Sequence, residues 1–110
     1  FSILFFIESG FPFITTKLPS NIEVEEGETI KLVAKFDGDA ETKVEWICNN
    51  IPLKPSENIL MFQNIDGTAS LEITFASQTD SGEYEFRVTN SKGSAKSSSN
   101  VKVSSELKFW

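Results

Sequence analysis

The groups able to do chemistry in this chain are few, and they stand apart from one another. Its one thiol, Cys48, is the strongest nucleophile available, but the sequence holds no histidine to activate it or to ligate a metal. Cys48 therefore reads as a small buried or half-buried filler late in a strand, with a redox-sensitive thiol as the sharper alternative. Carboxylates are plentiful but scattered. Glu23, Glu25, Glu26 and Glu28 crowd one stretch and could attract Ca²⁺ loosely. Their spacing fits no calcium loop of fixed geometry, and a solvated acidic surface explains them better. Asp80 reads as a turn former rather than a catalytic acid. There is no Gly-rich phosphate loop and no CxxC pair. The expectation is of no catalytic residue, no cofactor, no metal site and no small-molecule substrate.

Charge narrows the partners. Sixteen acidic residues against ten basic ones give a net charge of -6, which opposes binding to nucleic acid and to anionic membrane. A length of 110 residues, 39% of them apolar, suits one domain with one core. A lone cysteine cannot close an internal disulfide, and no Asn-x-Ser/Thr sequon occurs. Both features point to a reducing, cytoplasmic setting.

The positioning elements read as short strands. Ile30, Leu32, Ala34 and Phe36 alternate with Thr29, Lys31, Val33 and Lys35, which is a strand with one buried face. Phe13 to Leu18, and Ile22 with Val24, suit short edge strands, with Pro19 between them and a turn at Glu26-Gly27-Glu28 after them. Val44, Trp46 and Cys48 form the inner face of the next strand, with Lys43, Glu45 and Ile47 outside, and Trp46 anchors the core. Asn49-Asn50 is a turn, and Pro52 and Pro55 confine the next segment to short edge structure. Ile59 to Phe62 supplies a further strand. Asp66-Gly67 is a hairpin turn, after which Ala69, Leu71, Ile73 and Phe75 point inward. A polar loop, Ser77-Gln78-Thr79, leads to Asp80-Ser81-Gly82-Glu83-Tyr84-Glu85-Phe86, a tight turn feeding a strand whose Tyr84, Phe86 and Val88 share one face. Asn90 to Gly93 is the last hairpin, with Asn90 and Gly93 placed for positive φ. The final strand runs through Ser97-Ser98-Ser99 to Val101 and Val103. Seven to nine such strands without a helical period make an all-β, two-sheet sandwich.

Phe1 to Ile7 is apolar at six of seven positions. It lacks the basic start and small-residue cleavage site of a targeting peptide and is too short to span a bilayer. It reads as a flank or linker over residues 1–12, and a chain starting at Phe1 reads as a piece of something longer. Phe1, Ile3, Phe5 and Phe6 are candidate partner contacts that could pair with another sheet edge. The domain then occupies residues 13–104, and residues 105–110 form a tail ending in Phe109-Trp110.

Taken together these residues resemble the immunoglobulin I-set family, over roughly Phe13 to Ser104. Trp46 falls on the family's strand-C tryptophan. Asp80, Gly82 and Tyr84 fall on its Asp-x-Gly-x-Tyr motif, and Tyr84 would make the tyrosine corner. The resemblance implies an antiparallel Greek-key sandwich whose structural core includes Ala34, Trp46, Leu71, Asp80, Gly82, Tyr84 and Phe86. The departure is the disulfide: Ala34 and Phe86 occupy the two positions where the family carries cysteines. Losing such a bridge costs about 2–5 kcal/mol, and burying a Phe recovers about 1.5–3 kcal/mol. Bridge-free domains of this kind are similar to cytosolic modules of titin, twitchin, obscurin and myosin-binding protein C. The string Val88-Thr89-Asn90-Ser91-Lys92-Gly93-Ser94-Ala95 resembles that group in particular. The resemblance implies a non-catalytic structural and interaction module of sarcomere or cytoskeleton, with neighbouring immunoglobulin- or fibronectin-type domains or cytoskeletal proteins as partners. The alternatives are an extracellular adhesion or receptor domain and a regulatory domain beside a kinase.

Overall fold

A computed structural model describes residues 10–105 of the chain, and the flanking residues lie outside the described part. Nine strands appear among the described residues: β1 (Phe13–Thr16), β2 (Asn21–Glu25), β3 (Ile30–Asp37), β4 (Lys43–Cys48), β5 (Ile51–Pro52), β6 (Ile59–Gln63), β7 (Thr68–Ile73), β8 (Gly82–Asn90) and β9 (Gly93–Ser104). They form two sheets, ordered β1-β3-β7-β6 and β2-β9-β8-β4-β5. The alternation that defines the strands also defines the core. Ile30, Leu32 and Ala34 from β3, Ala69, Leu71 and Ile73 from β7, and Tyr84, Phe86 and Val88 from β8 are each at most 1% exposed. Burial of these inward rows is the main force joining the sheets.

One pairing departs from the antiparallel rule. β2 runs parallel to β9 over five register pairs, Asn21↔Asn100 to Glu25↔Ser104. The chain reaches it by crossing from one sheet to the other between Thr16 and Asn21, where Pro19 cannot donate to either ladder. At the crossing the Leu18 N–H donates to the Ser97 hydroxyl at 2.9 Å, which gives a buried amide the partner it would otherwise lack.

Two local expectations need correction. Phe75 does not continue the inward row of β7. Its φ is +54° and its ring is 79% exposed, because the backbone turns here so that Ala76 can bond Glu28 and Gly27 (Ala76 N to Glu28 O 2.9 Å, Gly27 N to Ala76 O 2.8 Å). Asn90 does not take a positive φ; of the last hairpin's residues only Gly93 does. Asn90 shapes the turn with its side chain instead, its Oδ1 accepting from the Lys92 N–H at 2.8 Å. Ile47 keeps to the outer face, yet is only 6% exposed, flanked in register by Pro52 and Glu85.

Candidate functional site

Successive strands bring the loops together at two poles. At one, β8 begins and the chain leaves. A short 3-10 turn, Gln78–Asp80, is closed by the Ser77 N–H donating to Asp80 Oδ2 at 2.9 Å. This presents the Asp80 carbonyl to the Tyr84 hydroxyl, which donates to it at 2.6 Å. The Tyr84 ring is 1% exposed, and burial first, then the adjacent Cys48, pushes its pKa far above the usual phenol value. Cys48 lies beside it in register. Burial pushes this thiol up as well, partly offset by the Tyr84 hydroxyl, so it stays protonated and poorly nucleophilic at neutral pH.

Gly82 completes this pole. Asn49 and Asn50 both hold positive φ, +50° and +68°, and make the two-residue hairpin between β4 and β5. The Asn49 side chain then accepts from the Glu83 N–H at 3.0 Å. A Cβ at Gly82 would meet the Asn49 amide at 2.5–2.8 Å, so only glycine admits this contact. Glu25 and Glu28 lie nearby, with the Glu25 N–H donating to Glu28 Oε1 at 3.0 Å. Among the described residues no group of three or more His, Cys, Asp or Glu is placed to hold a metal.

The core between the poles holds the two positions that carry cysteines in the resembled family. Ala34 and Phe86 lie in opposite sheets within one apolar cluster. Phe86 packs against Trp46, with centroids 4.8 Å apart, and Phe36, at 6.0 Å, a tilted aromatic group that fills the volume of a bridge. Leu71 belongs to the same cluster. Sequence reasoning missed the serines of β9. Ser97 and Ser99 are 8% and 1% exposed, and among the described residues the Ser99 hydroxyl has no hydrogen-bond partner. The alternation of β9 with Val101 and Val103 was the signal that could have found them.

At the opposite pole the chain arrives. The Asn90 amide donates to the Gly10 carbonyl at 2.7 Å and to Thr42 Oγ1 at 3.0 Å. The Asp39 N–H donates to the same carbonyl at 3.2 Å, Lys92 pairs with Asp39 at 3.5 Å, and the Phe11 ring lies over Gly93. Gly10 has φ +85°, so the incoming backbone is turned and held by two loops at once. Phe1, Ile3, Phe5 and Phe6 lie outside the described residues. No helix among the described residues is long and apolar enough to cross a membrane.

These features agree with what known proteins share with the chain. The family model described as the immunoglobulin I-set domain matches residues 12–103. Myosin light chain kinase, smooth muscle, from Gallus gallus is 33% identical over 89 residues, 81% of this chain and 5% of that protein. Muscle M-line assembly protein unc-89 from Caenorhabditis elegans is 34% identical over 84 residues, 76% of this chain and 1% of that protein. A solved I-band fragment of titin superposes with a TM-score of 0.82 at 31% identity, covering 86% of this chain and 33% of that one. The chain spans only a small part of these curated relatives. An all-β sandwich with a tyrosine corner, one cysteine and a family match over nearly its whole length, the chain belongs to the immunoglobulin I-set domain family, and its relatives include muscle proteins.

Proposed function

We propose that this domain is a non-catalytic structural and interaction module, one link of a multidomain cytoplasmic muscle or cytoskeletal protein. It would space its neighbours and dock proteins at its ends. The observation that carries this reading is the placement of the two ends. The backbone arrives at Gly10, held by Asn90 and Asp39, and leaves past Ser104 at the other pole, where the Glu26 N–H donates to the Ser104 carbonyl at 2.9 Å. A module threaded from pole to pole extends a chain rather than folding it back. In this reading residues 13–104 are the module, 1–12 its leading flank and 105–110 its trailing tail. Ala34, Trp46, Leu71, Asp80, Gly82, Tyr84 and Phe86 serve the fold, and Phe1, Ile3, Phe5 and Phe6 are candidate partner contacts that lie outside the described residues. The absence of histidine and the raised pKa of Cys48 support a role without catalysis.

The similarity to a protein named as a kinase favours, as a second reading, a regulatory module beside a kinase. Small-angle scattering of the parent chain over this domain and its two neighbours separates the readings. An extended string of domains is the expected result, and a compact particle with this domain packed on a neighbour would refute the spacing role.

A further inference from the structure

Among the described residues the two sheets have four edge strands, β1, β6, β2 and β5, and an open edge invites pairing with another chain unless something blunts it. Three of these are blunted. β5 has two residues, one of them Pro52. β1 has four, with its register broken between Ile14 and Thr16, and β2 carries Glu23 and Glu25. β6, Ile59-Leu60-Met61-Phe62-Gln63, has no charge, no proline and an unbroken register.

The hydrogen-bond phase of β6 shows which groups it offers. The Asn64 N–H donates to Thr68 O, and the Thr74 N–H to Asn58 O. Bonded pairs alternate along an antiparallel ladder, so Leu60 and Phe62 turn their backbones to β7, while Ile59, Met61 and Gln63 turn theirs outward. Ile59 is already engaged in two bonds with Ser56, at 3.0 and 3.3 Å. Met61 and Gln63 therefore present an N–H and a C=O each at the open edge. On the sheet's outer face, Phe62 is 49%, Val33 39% and Leu60 37% exposed, and Val33, Ser70 and Phe62 form one row in register.

We infer that β6 is a self-association edge, on which a second copy of this chain adds its own β6 antiparallel with Phe62 on the two-fold axis. This register uses every open group: Met61 pairs with the second copy's Gln63, and Gln63 with its Met61, in four N–H···O bonds. Phe62 then faces its counterpart as a non-hydrogen-bonded pair, the position where side chains approach most closely. The uncharged row Val33-Ser70-Phe62 doubles in length. Leu60 falls opposite Asn64 and Asn58 opposite Asp66, so no like charges meet across the seam. The isologous geometry is that of a two-fold dimer. The seam is small for a protein interface, and each copy carries a charge of -6. Association is therefore weak, with a dissociation constant on the order of 10 μM or above, and it strengthens as salt screens the repulsion.

Sedimentation of the 110-residue chain across concentration and salt tests this. A monomer–dimer equilibrium favoured by salt is expected. Phe62→Lys, which sets two cations face to face, and Gln63→Pro, which removes an outward N–H and leaves the β7 ladder whole, should each weaken it about tenfold or more. Denaturant midpoints close to that of the parent chain show that both variants fold. Ile51→Lys, on a different edge, should leave the dimer unchanged. A chain monomeric at all concentrations and salts overturns the inference. So does a dimer that survives Phe62→Lys and Gln63→Pro but is lost with Ile3→Asp and Phe5→Asp, which would place the contact in the leading flank.

Discussion

The two poles of the sandwich are built in opposite ways. At the Tyr84 pole one fully buried ring makes one short bond to a backbone carbonyl, and the groups around it, Asp80, Gly82 and Asn49, fix where β8 begins. At the Asn90 pole a half-buried amide gathers the Gly10 carbonyl and Thr42, with Lys92 and Asp39 beside them. A buried bond in low dielectric has no water to replace a lost partner, whereas an accessible one does. The first pole should therefore govern stability and the second the direction in which the chain arrives.

The largest effect is expected where the strand of the tyrosine pole enters the core. Phe86→Ala should destabilise the domain by about 3–5 kcal/mol in denaturant unfolding, because Trp46 and Phe36 lose their shared neighbour. A loss below about 1.5 kcal/mol would mean that the core closes over the gap. The alkaline limb comes next, and its sign is set by Tyr84, the chain's one tyrosine. In the unfolded chain the phenol ionises near pH 10, while burial raises its folded value. Tyr84 thus lends full stability below about pH 10 and loses it above, at about 1.4 kcal/mol per pH unit. Tyr84→Phe should cost about 1 kcal/mol or more at neutral pH and lack Tyr84's share of this limb, while the raised Cys48 thiol keeps its own, so the gap between the two proteins should narrow as pH rises. Parallel curves would contradict the corner's role.

Two smaller effects sharpen the contrast. Ser99→Ala should raise stability by about 1 kcal/mol, since it removes a buried hydroxyl without a described partner; a loss of that size in thermal unfolding would reveal a bond to that group. Asn90→Ala should shift the unfolding midpoint by less than about 1 kcal/mol. It should nonetheless speed amide exchange at Asp39, whose N–H shares the Gly10 carbonyl. A stability loss equal to that of Tyr84→Phe would erase the distinction between the poles.

What the sequence made legible were features carried by local pattern. The two-residue rhythm of Ile30 to Phe36 and of Tyr84 to Val88 marks strands with one buried face, because side chains alternate across a sheet. Departures came where distant groups decide the outcome. Nothing around Asn21 to Glu25 indicates a parallel partner, since β9 lies far along the chain. Ser97 and Ser99 are polar, so their inward placement is hidden until the Leu18 amide and the core rows are in place. Phe75 continues an inward rhythm but is turned out by the bonds of Ala76 to another loop. Of the poles, the Asp80-to-Tyr84 spacing lies in one short stretch. The Asn90 cluster joins Gly10, Asp39 and Thr42 from across the chain and leaves no local mark.

The proposed role of a spacer threaded from pole to pole is tested most directly by pulling on a single molecule. Force applied at residues 10 and 104 loads the parallel β2–β9 pair in shear, so that its hydrogen bonds must fail together. Force applied at residues 59 and 73 opens the β6–β7 pair one bond at a time. The expected result is a clearly higher unfolding force for the first geometry than for the second. Equal forces, or a lower force when pulled from pole to pole, would contradict the account.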